Sequence, residues 1–226
     1  MNMKFIGSFF SISFLFFFQN ILSQNISLNS TNCQSNLVNM SIVKFEKSDV
    51  LRVVKDSSIQ KFDEPTFVKL KDLNFKNGSI EVKVLSRMLK NAPEFARGFI
   101  GIAFRINESN TAYESIYIRP TNGRADDQIR RNHSIQYYSY PDYKFDTLRK
   151  ISPEKYESYS DMELNEWIVM RIDVQGEKAK LYLNNAKQPS LIVNDLKLGS
   201  NNEGGIGLWV EIGTEGYFKD LKITKQ

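Results

Sequence analysis

The chain has 226 residues, 41% hydrophobic and 25% charged, enough apolar material for a core in one large domain or two small ones. Its formal net charge of +4 is thinly spread, and no run of five or six like charges forms the clustered basic face that nucleic-acid binding requires. The densest basic segment, 124–131, also holds Asp126 and Asp127, so no nucleic-acid partner is expected.

At the N-terminus, Lys4 precedes an apolar run, 9–18, broken only by Ser11 and Ser13, and Ser23 offers a small residue before Gln24. That is the layout of a secretory leader. The run is too short to anchor stably in a bilayer. The sequence therefore predicts a signal peptide over 1–23, export to the extracellular space or periplasm, and no membrane span after the leader is removed. Cys33 is the single cysteine, so no internal disulfide is available. Asn-x-Ser/Thr sequons occur at Asn25, Asn29, Asn39, Asn77, Asn107 and Asn132.

Residues 24–38 are polar and rich in Asn and Ser, and read as a loose mature N-terminus. From 39 to 226 the dominant period is two, the mark of strands. Runs at 41–46, 50–55, 66–70 and 79–85 come first, the last two separated by an Asn77-Gly78 turn. Stronger alternation follows at 99–106, 113–119 and 134–140. A hairpin over 167–174 and 178–183 turns at Gln175-Gly176-Glu177, and 190–194, 205–212 and 216–224 complete the set. The one helix expected is short, near 153–159. With Phe and Tyr contributing 16 and 10 residues, and no linker dividing the chain, the fold class is all-β: a single two-sheet antiparallel jelly-roll sandwich over 39–226.

Period two also sorts faces. Ile100, Ile102, Phe104 and Ile106 lie on one side of their strand, with Phe99, Gly101, Ala103 and Arg105 on the other. Ile116 and Ile118 oppose Tyr113, Ser115, Tyr117 and Arg119. Ile135 and Tyr137 oppose Gln136 and Tyr138. Ile206, Leu208, Val210 and Ile212 oppose Gly205, Gly207, Trp209 and Glu211. One face is aliphatic. The other mixes small residues with Tyr, Trp, Arg, Gln and Glu, unlike the ordinary solvated side Ser79, Glu81 and Lys83. If it is open, aromatic platforms beside polar groups suit sugars, which stack C–H faces on rings and offer hydroxyls. The competing reading is that a loop covers this face and its rings are a second layer of core.

Three segments carry a resemblance: Gly98-Phe99-Ile100-Gly101-Ile102-Ala103-Phe104-Arg105; Tyr117-Ile118-Arg119-Pro120-Thr121-Asn122-Gly123-Arg124; and Gly205-Ile206-Gly207-Leu208-Trp209 with the final Phe218-Lys219-Asp220-Leu221-Lys222-Ile223. Together they resemble the concanavalin A-like lectin/glucanase superfamily, nearest its laminin-G-like domains, including those termed 3-keto-disaccharide hydrolases. The resemblance covers about residues 40–224 and implies the jelly roll; it does not choose among lectin, hydrolase and adhesion module, because this fold hosts all three.

The ligand-binding expectation covers Arg105, Tyr117, Arg119, Asn122, Arg124, Asn132, His133, Gln136, Tyr138, Trp209 and Glu211, and the partner is an oligo- or polysaccharide. Catalytic candidates are His133, Tyr138 and Glu211. The E-x-D-x-x-E string of family 16 glucanases is missing, and no G-x-S-x-G elbow is present. The sequence thus favours a binding domain over an enzyme. A hydrolase or lyase acting on a neutral or anionic saccharide, with Arg119 neutralising acid groups, is the alternative, and a protein-binding adhesion module is the second. No cofactor is required; Asp126 and Asp127, with loop carbonyls, are the candidates for calcium.

Overall fold

The computed structural model describes residues 22–226. The expected leader falls outside the described residues except for Leu22 and Ser23. In chain order the early strands are β1 (Leu22–Ile26), β2 (Cys33–Asn36), β3 (Val38–Phe45), β4 (Ser48–Lys55), β5 (Phe67–Leu70) and β6 (Gly78–Met88). Next come β7 (Ile100–Ile106), β8 (Tyr113–Ile118), helices α1 (Pro120–Gly123) and α2 (Gln128–Asn132), β9 (Ile135–Tyr140), helix α3 (Phe145–Ile151) and β10 (Glu157–Ser158). The chain closes with β11 (Ile168–Gln175), β12 (Lys178–Leu183), β13 (Leu191–Val193), β14 (Gly205–Val210) and β15 (Thr214–Lys225).

These strands form two antiparallel sheets. One has the order β13-β12-β11-β6-β15-β4-β3, with β1 added beside β15; the other runs β10-β9-β8-β7-β14-β5-β2. The chain is a two-sheet jelly-roll sandwich. The aliphatic faces meet between the sheets: a Cβ placed on Gly216 of β15 would strike Val210 and Ile100 of the opposite sheet. Ile100, Ile102, Ile116, Ile118, Ile206 and Leu208 are wholly buried, as are Ile80, Val82, Val84, Met170 and Ile172. Each such side chain contributes about 1.5–3 kcal/mol on leaving water.

All the strands expected from periodicity form, with ends shifted by a residue or a few. Other expectations are corrected. The segment 24–38 is not loose throughout: Gln24 pairs with Ile223 in β1, and Cys33 pairs with Leu70 in β2. The helix expected at 153–159 is replaced by α3 just upstream and by β10, where Glu157 joins the sheet edge against Gln136. β14 ends at Val210, so Ile212 leaves the core face and turns with Glu211 toward the other side of the sheet, where both line a pocket.

Candidate functional site

The functional geometry starts from strand register. Trp209 pairs with Gly101, Gly101 with Tyr117, Tyr117 with Gln136, and Gln136 with Glu157, giving one row across β14, β7, β8, β9 and β10. The next residues along, Ala103, Ser115 and Tyr138, form a parallel row. Side chains in register share a face, so the mixed face of the sequence exists as one surface, pointing away from the second sheet.

That surface is not open. Trp209 and Tyr138 are each 1% exposed and Tyr117 is 2% exposed; Gln136 and Ser115 are fully buried. The segment between β4 and β5 crosses over it. The Glu64 carbonyl accepts from the Tyr113 hydroxyl at 3.4 Å, and the Asp63 amide donates to Glu211 Oε2 at 2.7 Å. The rings pack on each other, with Tyr138 and Trp209 centroids 5.8 Å apart and the Tyr113 and Tyr138 hydroxyls 3.0 Å apart. The expectation of a solvent-open aromatic groove through Gln136, Tyr138 and Trp209 is therefore corrected, and the covering-loop alternative describes this part of the face. The small residues serve the rings: a Cβ on Gly101 would lie 2.5 Å from Tyr117 Cβ, and one on Gly207 would lie 2.9 Å from the Phe67 ring.

Where the cover stops, a pocket of 370 Å³ remains, within the roughly 300–1,000 Å³ of ligand sites. Phe62, Phe95, Phe99 and Phe145 wall it, and Arg97, Arg119, Arg130, Arg149, His133, Asn122, Asp63 and Glu211 supply its polar groups. Tyr117 lies at the pocket over the Trp209–Tyr138 layer, 4.9 Å from Trp209. Phe62 and Phe95 meet edge to face at 5.1 Å across the rim and stay about half exposed, at 50% and 48%. Larger hollows of 620 Å³ beside β1 and 840 Å³ beside β5 are lined mainly by Lys, Asp, Glu and Asn, without such walls.

The polar floor is held by Glu157. Its carboxylate accepts from Arg149 Nε at 3.0 and 2.9 Å, lies 3.4 Å from Arg119 Nη1, and sits 2.9 Å from His133 Nδ1. Arg119 also donates to the Tyr117 hydroxyl oxygen at 2.6 Å, to Gln136 Oε1 at 3.3 Å and to the His133 carbonyl at 2.8 Å. Arg119 is thus immobilised. Burial holds the His133 imidazole below its ordinary range, with Glu157 pulling the other way. The Glu157 carboxylate is the charged group nearest the ring, although His133 Nδ1 makes no aligned hydrogen bond among the described residues. Asn122 donates to the His133 carbonyl at 3.2 Å, and its buried Oδ1 has no partner among the described residues.

Two carboxyls sit on the opposite wall. Glu211 is paired with Lys55, which is also buried, and accepts from the Ile212 and Asp63 amides; burial nevertheless pushes its carboxyl up. Asp63 is held in a left-handed backbone (φ 52°). Burial and the neighbouring Glu211 push its carboxyl up to about 6, against the pull of Lys144 and Arg119.

The structure brings Tyr117, Arg119, Asn122, His133 and Glu211 to one pocket and sets Gln136, Tyr138 and Trp209 beneath or beside it. The remaining candidates lie elsewhere. A bulge between β7 and β14 turns Arg105 out of the alternation, and it donates to the Lys76, Gly176 and Gly199 carbonyls at the far end of the sandwich. Arg124 is exposed and pairs with Asp161, Glu163 and Glu166. Asn132 is exposed and accepts from Gln128. Asp127 caps α2 by accepting from the Arg130 amide at 3.0 Å. Among the described residues no three His, Cys, Asp or Glu side chains are grouped to hold a metal ion.

Backbone comparison finds the fold in known proteins. The carbohydrate-binding module CBM66 from Bacillus subtilis aligns over 84% of this chain and 96% of its own, with TM-score 0.54 and 10% identity. A Parabacteroides distasonis protein provisionally assigned as a glycosyl hydrolase aligns over 87% and 94%, with TM-score 0.55 and 15% identity. Peanut lectin aligns over 91% and 97%, with TM-score 0.52 and 8% identity. The fold is the concanavalin A-like jelly roll. No family model and no curated protein matches the sequence.

Several residues of this pocket escaped sequence reasoning. Phe62, Asp63, Phe95 and Arg97 come from the turns before Pro65 and after Pro93, and Phe145 and Arg149 from α3. Their signal is composition: phenylalanines in otherwise polar, proline-marked connections, where binding residues concentrate. Glu157 was hidden by the helical reading of its segment, though Tyr156 and Ser158 alternate with Glu157 and Tyr159.

Proposed function

We propose that this chain is an exported carbohydrate-binding domain whose sugar enters the pocket between Phe62, Phe95, Phe99 and Phe145. The observation that carries the reading is the pairing of phenylalanine walls with a pre-ordered polar floor. A sugar ring has apolar C–H faces and a belt of hydroxyls. The rings suit the faces, while the His133 imidazole and the Arg149 guanidinium at the pocket suit the hydroxyls. The fixed Glu157 network needs no reordering on binding, so little affinity is lost to entropy. The fold likeness to CBM66 and peanut lectin agrees with this reading.

The test is a glycan array on residues 24–226, followed by titration of the strongest binder against Phe95→Ala and Arg149→Gln. Binding by the wild type that weakens in both variants supports the proposal. An array with no saccharide bound sinks it.

Asp63 favours a second reading, a hydrolase or lyase. A carboxyl titrating at about 6 suits a general acid or base near neutral pH. That reading requires turnover of a bound saccharide, lost in Asp63→Asn while affinity persists. Binding without turnover removes it.

A further inference from the structure

The pocket has more cationic charge than its own carboxylates neutralise. Arg97, Arg119, Arg130 and Arg149 line it, and Lys55 stands behind Glu211. Against these five cations stand three carboxylates, Asp63, Glu211 and Glu157, while just outside them Glu94 acts on Arg97, and Lys144 and Asp146 act on Asp63 with opposite signs. Glu211 is satisfied by Lys55, and Glu157 is shared between Arg119 and Arg149. Arg97 and Arg130 pair with no carboxylate among the described residues; the Arg97 guanidinium donates only to the Glu94 and Ala96 carbonyls. Burial, Arg130 and Arg119 hold the Arg97 guanidinium below its ordinary range, against the pull of Glu94. Like charges gathered in a partly dehydrated hollow repel one another, and the arrangement is relieved when an anion enters.

Resting on the saccharide-binding reading above, we infer that the pocket selects an acidic saccharide: a sugar ring bearing a carboxylate or sulfate, with the anionic group directed to Arg97, Arg130 and the outer side of Arg149. The phenylalanine walls separate this ligand class from a bare anion. Phosphate or sulfate alone would gain the guanidinium contacts and leave Phe62, Phe95 and Phe99 wet. Guanidinium and carboxylate match in planar, two-pronged hydrogen bonding, which gives the site orientation as well as attraction. Arg130 is exposed and Arg97 half-buried, so both reach a ligand without disturbing the Glu157 network that fixes Arg119.

The experiment compares three probe sets by titration calorimetry on the wild type, Arg97→Gln, Arg130→Gln and Phe95→Ala. The sets are uronic-acid tetrasaccharides, the same tetrasaccharides with carboxyls reduced to alcohols, and sulfated tetrasaccharides, with polyglutamate as a non-sugar anion. The expected result is binding of a uronic or sulfated probe, weakened about tenfold or more by each arginine substitution and weakened further by added salt. The uronic and sulfated arms show which acid group is read. Carboxyl-reduced probes that bind as tightly as their acidic parents, or arginine variants that bind unchanged while Phe95→Ala loses affinity, overturn the acidic-ligand inference and leave the sugar pocket standing. Polyglutamate binding tighter than every sugar also overturns it. Failure of all saccharides, acidic and neutral, removes both this inference and the reading beneath it.

Discussion

Trp209 lies against Tyr117 with ring centroids 4.9 Å apart, and neither ring is open to solvent. Tyr117 borders the pocket, and Trp209 belongs to the layer that supports it. Trp209→Ala should therefore act on stability, costing about 3–5 kcal/mol through the cavity it leaves. Denaturant unfolding checks this. A stable variant with reduced sugar affinity would instead mark Trp209 as a contact residue.

Among the described residues, Glu157 is the one carboxylate that Arg119, Arg149 and His133 share. Its replacement by Gln keeps the shape and removes the charge, leaving the buried Arg119 without a counterion. Loss of one partner from a buried pair costs about 3–5 kcal/mol. The expected outcome is a marked drop in the denaturation midpoint and weaker ligand binding, because the pocket floor loses its order. A Glu157→Gln protein as stable as the wild type would show that the floor is held by other contacts.

Asp63 sets a pH dependence. Glu211, Arg119, Lys144, Asp146 and the Tyr113, Tyr117 and Tyr138 phenols face it from the neighbouring elements. Its folded carboxyl titrates at about 6, while an unfolded Asp titrates near 3.9. Between those values the folded state holds more protons, so stability is full below about pH 4 and falls as pH rises through about 6. The contribution is about 1–3 kcal/mol. Asp63→Asn should flatten this fall and be the more stable protein at pH 7.5. An acidic ligand should bind more tightly at pH 5 than at pH 7.5 in the wild type and show a smaller difference in Asp63→Asn. Identical pH profiles for the two proteins would contradict this.

The sandwich was legible because period-two alternation survives in almost every strand: Ile100 to Phe104 and Ile206 to Val210 each declare a core face. The shared surface of Trp209, Tyr117 and Gln136 followed from the same alternation and from register. Its cover was not legible, because the cover is made by irregular segments whose path depends on tertiary contacts such as the Asp63 amide to Glu211. Arg105 was misplaced for a local reason: a bulge shifts the register between β7 and β14, and a single extra residue sends the next side chain elsewhere. The small residues of the mixed face give room to buried rings, as at Gly101 beneath Tyr117. Arg124 was expected to bind ligand, yet its partners Asp161, Glu163 and Glu166 lie far along the chain, beyond the reach of local spacing.

The account stands most directly on the rim pair Phe62 and Phe95, whose rings meet edge to face and stay about half exposed at the pocket. A Phe62→Ala/Phe95→Ala double variant should lose about 2–4 kcal/mol of stability, from the mutual contact and the half of each ring that is covered, and stay folded. Calorimetric titration with the tightest-binding saccharide should show affinity reduced at least about tenfold, as expected when apolar contact area is stripped from a ligand site. Unchanged affinity in a folded double variant would contradict the claim that the sugar sits between these rings.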